Sequence, residues 1–147
     1  MKKVGEYTLQ GGISDQTVEK ILLFDGRFDT AYKVVEFILF PMNPATANAE
    51  VYGVLATQEE DATTDWDAYK QTQIGWASVR TDGAYGVASP FSLVNPDNLV
   101  VEDLYIYAND GTGVAGTHVN YFIRMEKYEI SDWQGALTMV RNRAQDV

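Results

Sequence analysis

The stretch Val119-Asn120-Tyr121-Phe122-Ile123-Arg124-Met125-Glu126-Lys127-Tyr128-Glu129-Ile130, followed by Ser131-Asp132-Trp133-Gln134, decides the fold class. Val119, Tyr121, Ile123 and Met125 fall on one side of an extended chain, and Asn120, Arg124 and Glu126 on the other. Phe122 is the apolar exception on the polar side. A period of two marks a strand with one buried face. At Ser131 the period becomes helical, and Ser131 with Gln134 three residues later fits a capping box, in which each residue satisfies a backbone N–H of the other. Upstream, Leu99 to Ala108 reads as a second strong strand, separated from the first by the turn-rich Asn109-Asp110-Gly111-Thr112-Gly113. The chain is therefore expected to be β-rich and to end in a helix over 131–145 docked on its own sheet.

The rest of the chain reads as further strands joined by turns. Glu6 to Gln10 is a short first strand, closed by Gly11-Gly12. Ser14 to Phe24 fits either a short helix capped by Ser14, with Val18, Ile21 and Leu22 on one face, or, over its second half, a buried strand ending at Asp25-Gly26, and the strand is favoured. Tyr32 to Phe40 is apolar on both faces, which predicts a central strand, and Pro41 stops it. Glu50 to Thr57 is another strand, in which Gly53 marks a bulge or a close backbone approach. Gln58 to Tyr69 is acidic and loop-like, Gln71 to Arg80 returns to strand, and Ala84 to Asn98 is irregular or edge-like. Strands without intervening helices argue against a parallel α/β sheet and for an antiparallel sandwich or barrel. The expected fold is one all-β domain over 1–147, an antiparallel β-sandwich of jelly-roll type with a C-terminal helix.

Charge and composition exclude several function classes. With 21 acidic and 11 basic residues in 147, the formal charge is −10, and no basic run offsets it locally. Polyphosphates are repelled by such a surface, so direct nucleic-acid binding is not expected. The chain has no Cys, which removes disulfides and thiolate metal sites. Met1-Lys2-Lys3 is followed by Val4-Gly5-Glu6-Tyr7, with a charge where a signal peptide needs its apolar region. The longest apolar run, Phe37 to Met42, is too short to cross a bilayer as a helix. A soluble protein without membrane insertion is expected.

Residues capable of chemistry do not form a recognisable constellation. His118 is the sole histidine, and no Gly-x-Ser-x-Gly elbow accompanies it. It reads as a polar residue at the start of a strand. Glu59-Glu60-Asp61 with Asp65 and Asp67 is the first choice for a hard cation, but it lacks EF-hand spacing and reads as a solvated loop. The run Gly111-Thr112-Gly113-Val114-Ala115-Gly116 precedes a strand, whereas a phosphate-cradling loop opens a helix. Glu102 and Asp103 fall on opposite faces of one predicted strand and cannot form a dyad. No cofactor and no enzymatic activity are expected.

The terminal helix carries more information. Trp133, Ala136, Leu137, Val140 and Ala144 recur at helical spacing and predict an apolar stripe packed on the sheet or on a neighbour. Trp133, Arg141 and Arg143 are the candidate interface residues, because Trp and Arg are enriched at interfaces. Arg141 and Arg143 lie about 200° apart around a helix, so at most one faces the sheet.

Taken together, Gln71-Thr72-Gln73-Ile74-Gly75-Trp76, Asn95-Pro96-Asp97 before Leu99-Val100-Val101-Glu102-Asp103-Leu104, Asn120-Tyr121-Phe122-Ile123 and Arg141-Asn142-Arg143-Ala144-Gln145 resemble small structural proteins of viruses, the single jelly-roll capsid or capsid-associated subunits. The resemblance spans about Leu22 to Gln145. It implies a shell component found in the virion, assembled with its own copies or with other shell proteins, with no catalytic residue to carry over. The chain departs from that family in lacking a basic N-terminal arm, which fits a shell that does not grip nucleic acid directly. A carbohydrate- or ligand-binding β-sandwich is the alternative, with Trp66, Trp76 and Tyr85 as flat stacking platforms.

Overall fold

The computed structural model describes residues 1–24, 26–27, 29–44, 50–82, 86–111 and 117–143, without the side chains at 82, 86–89, 132, 136 and 143. Among these residues the chain forms β1 (Lys2–Ser14), β2 (Thr17–Ile21), β3 (Thr30–Pro41), β4 (Glu50–Ala56), β5 (Gln73–Asp82), β6 (Gly86–Val94), β7 (Leu99–Val100), β8 (Leu104–Asp110), β9 (His118–Glu129) and one α-helix, α1 (Asp132–Arg143). Two antiparallel sheets result, ordered β1-β9-β3-β7 and β2-β8-β4-β5-β6. Pairing is nested: β1 joins β9, β2 joins β8, β3 joins β7 and β4 joins β5, with β6 added outside β5. The protein is an all-β sandwich closed by a C-terminal helix, as its periodicity predicts.

The core lies between the sheets. Phe37, Ile13, Leu55, Ile74, Leu104, Ile106 and Ile123 are fully buried, each contributing about 1.5–3 kcal/mol of burial. β9 alternates as expected, with Val119, Tyr121, Ile123 and Met125 all inward, and both β9 and β3 are inner strands. Gly53 is a close approach rather than a bulge. A Cβ there would lie 2.3 Å from the Tyr107 carbonyl oxygen and 2.8 Å from Leu39 Cδ1, while Ala77 and Ala108 flank it on β5 and β8. This row of small residues lets Leu39 of the opposite sheet sit low over β4.

Four expectations are corrected. The buried strand expected in the second half of Ser14 to Phe24 is instead β2, Thr17–Ile21, four of whose five residues are exposed, and Leu22 beyond it is 75% exposed. The first strand does not stop at Gly11-Gly12 but runs through to Ser14, because β9 continues to pair with it. β3 is covered on one face only. Its register shifts between Val34 and Glu36, so Val35 is an extra residue that reverses the alternation. Val34, Phe37 and Leu39 point inward, whereas Val35, Ile38 and Phe40 are exposed. Leu99 to Ala108 is not one strand either: β7 and β8 belong to different sheets. The chain turns between them, and Asp103 pins the corner by accepting the Leu23 and Phe24 N–H groups at 3.1 and 3.5 Å while pairing with Lys20 at 3.2 Å. Glu102 and Asp103 therefore sit in a corner, not on the two faces of a strand.

The chain passes from one sheet to the other between β1 and β2 in a tight turn. Gln16 adopts φ 58° there, a left-handed conformation that costs a residue with a Cβ about 1–2 kcal/mol. Its N–H is held by the Ala108 carbonyl at 2.9 Å, so the conformation is fixed. Gln16→Gly is expected to stabilise the fold by about 0.5–1 kcal/mol after the entropy of glycine in the unfolded chain is subtracted. A urea midpoint at or below that of the wild type would contradict this.

Candidate interaction surfaces

Helix α1 starts where the capping box predicts. The Gln134 N–H donates to Ser131 Oγ at 3.1 Å, and the Ser131 N–H donates to Gln134 Oε1 at 3.2 Å. The side of the helix that meets the sandwich is not the expected one. Gly135 is buried, Met139 packs against the small cluster Ala31, Val101 and Ile130, and Asn142 is only 2% exposed. Asn142 anchors the helix through polar contacts. Its Nδ2 donates to the Leu99 carbonyl at 2.9 Å and its Oδ1 accepts the Val101 N–H at 3.3 Å. Its carbonyl accepts from Thr57 Oγ1 at 2.8 Å and Gln58 Nε2 at 3.2 Å.

The apolar stripe consequently faces outward. Trp133, Leu137 and Val140 are 72%, 50% and 69% exposed, and Arg141 is exposed with them. Trp133 is thus not buried under the sheet. The side chains of Ala136 and Arg143, and all of Ala144, lie outside the described residues. From 133 to 143 the sequence has no acid, and the exposed Arg141 gives the apolar strip a basic rim on a strongly acidic molecule.

The other candidates are scattered or committed elsewhere. The ring of His118 is half-buried at the start of β9, with Nε2 3.0 Å from Asn120 Oδ1. In the acidic loop, Asp61 is buried and engaged by Lys70 Nζ at 3.2 Å and the Thr72 hydroxyl at 2.5 Å. Gln73 braces the same loop, donating to the Asp61 and Asp65 carbonyls and accepting from the Asp67 N–H and Trp76 Nε1–H. The loop is folded over the outer face of the second sheet, with Ala62 seated among Val54, Ala56, Trp76 and Tyr107. Among the described residues no three His, Asp or Glu side chains group to hold a metal ion. The run 112–116 lies outside the described residues, so the glycine-rich linker is not placed.

Trp76 is buried, its indole N–H bonded to Gln73 at 3.0 Å. Trp66 stacks on Phe91 with centroids 5.7 Å apart, and Tyr85 lies outside the described residues. Two hollows among the described residues are small: one of about 290 Å³ is lined by Gln10, Phe40, Asn120 and Phe122, and one of about 310 Å³ by Glu50, Tyr52, Ser78 and Arg80. Both sit at the lower limit of small-molecule sites, about 300–1,000 Å³.

No protein-family model and no curated protein matches this chain.

Electrostatic perturbations among the described residues follow ion pairs and burial. Glu126 is lowered by its hydrogen bond from Lys3, and Lys3 is raised chiefly by Glu126 and then Glu6. Asp29 is lowered by Arg27. Burial raises the Tyr52 and Tyr121 hydroxyls. The shifted carboxylates are half-buried partners of cations, lowered by those cations rather than raised by desolvation.

Two features escape periodicity altogether. One is Asn142, a polar residue at a docking position. The other is β1, whose weak pattern conceals a strand of 13 residues.

Proposed function

We propose that this chain is a non-catalytic structural subunit that assembles with its own copies or with other shell proteins, a capsid or capsid-associated component of a virion. The observation that carries the reading is the outward face of α1: three large apolar side chains and an arginine, at the spacing of a docking helix, on a chain of formal charge −10. A second copy is the natural occupant, since an acidic surface complements the basic rim while the apolar strip seeks cover. The nested strand order supports the jelly-roll form of the sandwich. With β6 set aside, the first of eight strands pairs with the last, the second with the next to last, and so inward.

The test is the mass distribution of the wild type against Trp133→Ala/Leu137→Ser and Arg141→Glu at matched salt. A buried Trp anchor is worth about 2 kcal/mol or more at an interface, so the double variant is expected to weaken association at least ~30-fold. Its monomer stability should stay within about 0.5 kcal/mol of wild type, because these side chains touch little in the isolated subunit. Arg141→Glu removes only about 0–1 kcal/mol per contact, yet a shell repeats the contact many times. A wild type that stays monomeric at high concentration overturns the reading and favours the ligand-binding alternative.

A further inference from the structure

The two sheets have four edges, and three of them are guarded against pairing with another chain. β7 is two residues long. β2 has five residues and places Glu19 on the core-facing side, opposite Ile106. β6 carries Pro90 at a register shift, where two residues of β6, 89 and 90, stand against one of β5, Val79. Short length, an inward charge, and proline at a bulge are devices that stop edge-to-edge association. β1 is different. It runs for 13 residues with β9 as its sole partner among the described strands. Lys2, Lys3 and the register shift at Val4 guard its first end. From Gly5 to Ser14 the one charged residue is Glu6, which pairs with Lys3 at 2.5 Å, and no proline occurs. Alternate residues of this open stretch direct N–H and C=O groups away from β9.

We propose that β1 is a self-pairing edge: β1 of one copy adds antiparallel to β1 of a second copy and merges two four-stranded sheets into one. The inference rests on the reading that the chain assembles with itself, but it uses a surface distinct from α1. The sequence of β1 is self-complementary about Leu9. A two-fold axis there keeps core-facing residues on one side and sets Tyr7, 48% exposed, opposite Gly11 of the second copy. Thr8 meets Gln10, Glu6 meets Gly12, and Leu9 meets Leu9, so no like charges oppose one another. The axis yields a closed pair rather than an open fibre.

The natural absence of Cys makes the test direct. Under mild oxidation at assembly concentrations, Leu9→Cys should give a covalent dimer, since directly opposed strand residues meet disulfide geometry. Ser14→Cys should not, because its copies lie roughly 30 Å apart in this register. Independently, Thr8→Lys/Gln10→Lys, on the exposed face, brings four lysines together at the axis and should raise the dissociation constant of the β1 contact at least tenfold. Equal cross-linking at both cysteine positions, or none, in a chain that still assembles overturns the edge pairing and leaves the structural reading standing. So does assembly unaffected by the lysine pair. A wild type monomeric at all concentrations, with no Leu9→Cys dimer, overturns both.

Discussion

Gly53→Ala is expected to destabilise the fold by about 3 kcal/mol or more, the largest effect of an added methyl among the described glycines. The new Cβ would stand 2.3 Å from the Tyr107 carbonyl oxygen, a backbone atom of β8 that is held by the Ala108–Gly53 and Tyr107–Val54 pairing. It would also stand 2.8 Å from Leu39 Cδ1, so both the neighbouring strand and the facing sheet must move. Overpacking typically costs about 1–3 kcal/mol when side chains alone yield, and more when the backbone must shift. Leu39→Ala combined with Gly53→Ala should recover little, because the carbonyl clash remains. Urea denaturation gives the answer through its midpoint. A Gly53→Ala protein within about 1 kcal/mol of wild type would mean that β4 and β8 separate easily.

Asn142→Ala is expected to cost about 2–4 kcal/mol, far more than Trp133→Ala, which should cost under about 0.5 kcal/mol in the monomer. The usual ranking of Trp above Asn is inverted because of where each points. Removing the Asn142 amide leaves the buried Val101 N–H and the Leu99 carbonyl without their partner, and an unsatisfied buried group costs about 1–3 kcal/mol. Hydrogen exchange should locate the loss in α1 and in the corner between β7 and β8, with β9 still protected. Uniform loss of protection across both sheets would instead make α1 part of the cooperative unit of the sandwich.

The contrast explains what was legible in the sequence. β9 reads correctly because it is an inner strand with one buried face, so burial imposes period two on every residue from Val119 to Met125. The existence of α1 and its cap are local properties and read equally well. Its docked side is not. Trp133, Leu137, Val140 and Gly135, Met139, Asn142 have the same spacing, two apart in register; polarity selects the first set, and hydrogen bonding to Leu99 and Val101 selects the second. The bulge at Val35 and the corner at Asp103 depend on partners some 80–90 residues away, which no local pattern encodes. The candidate site shares this character: Trp133 and Arg141 are visible as residue types, but their common exposure follows from the polar anchor on the opposite side.

Nested pairing also sets a timetable. Residue 9 pairs with residue 123, so the first sheet lacks its second strand until nearly the whole chain has been synthesised. At about 5–20 residues per second, that interval is on the order of ten seconds. Throughout it β1 has both edges bare, while β4 and β5, close in sequence, can already pair. Such long-range closure belongs to slow, high-contact-order folding. The strand that awaits its partner longest is the one with the fewest guards on its outer edge, so crowded synthesis exposes growing chains to premature pairing through β1.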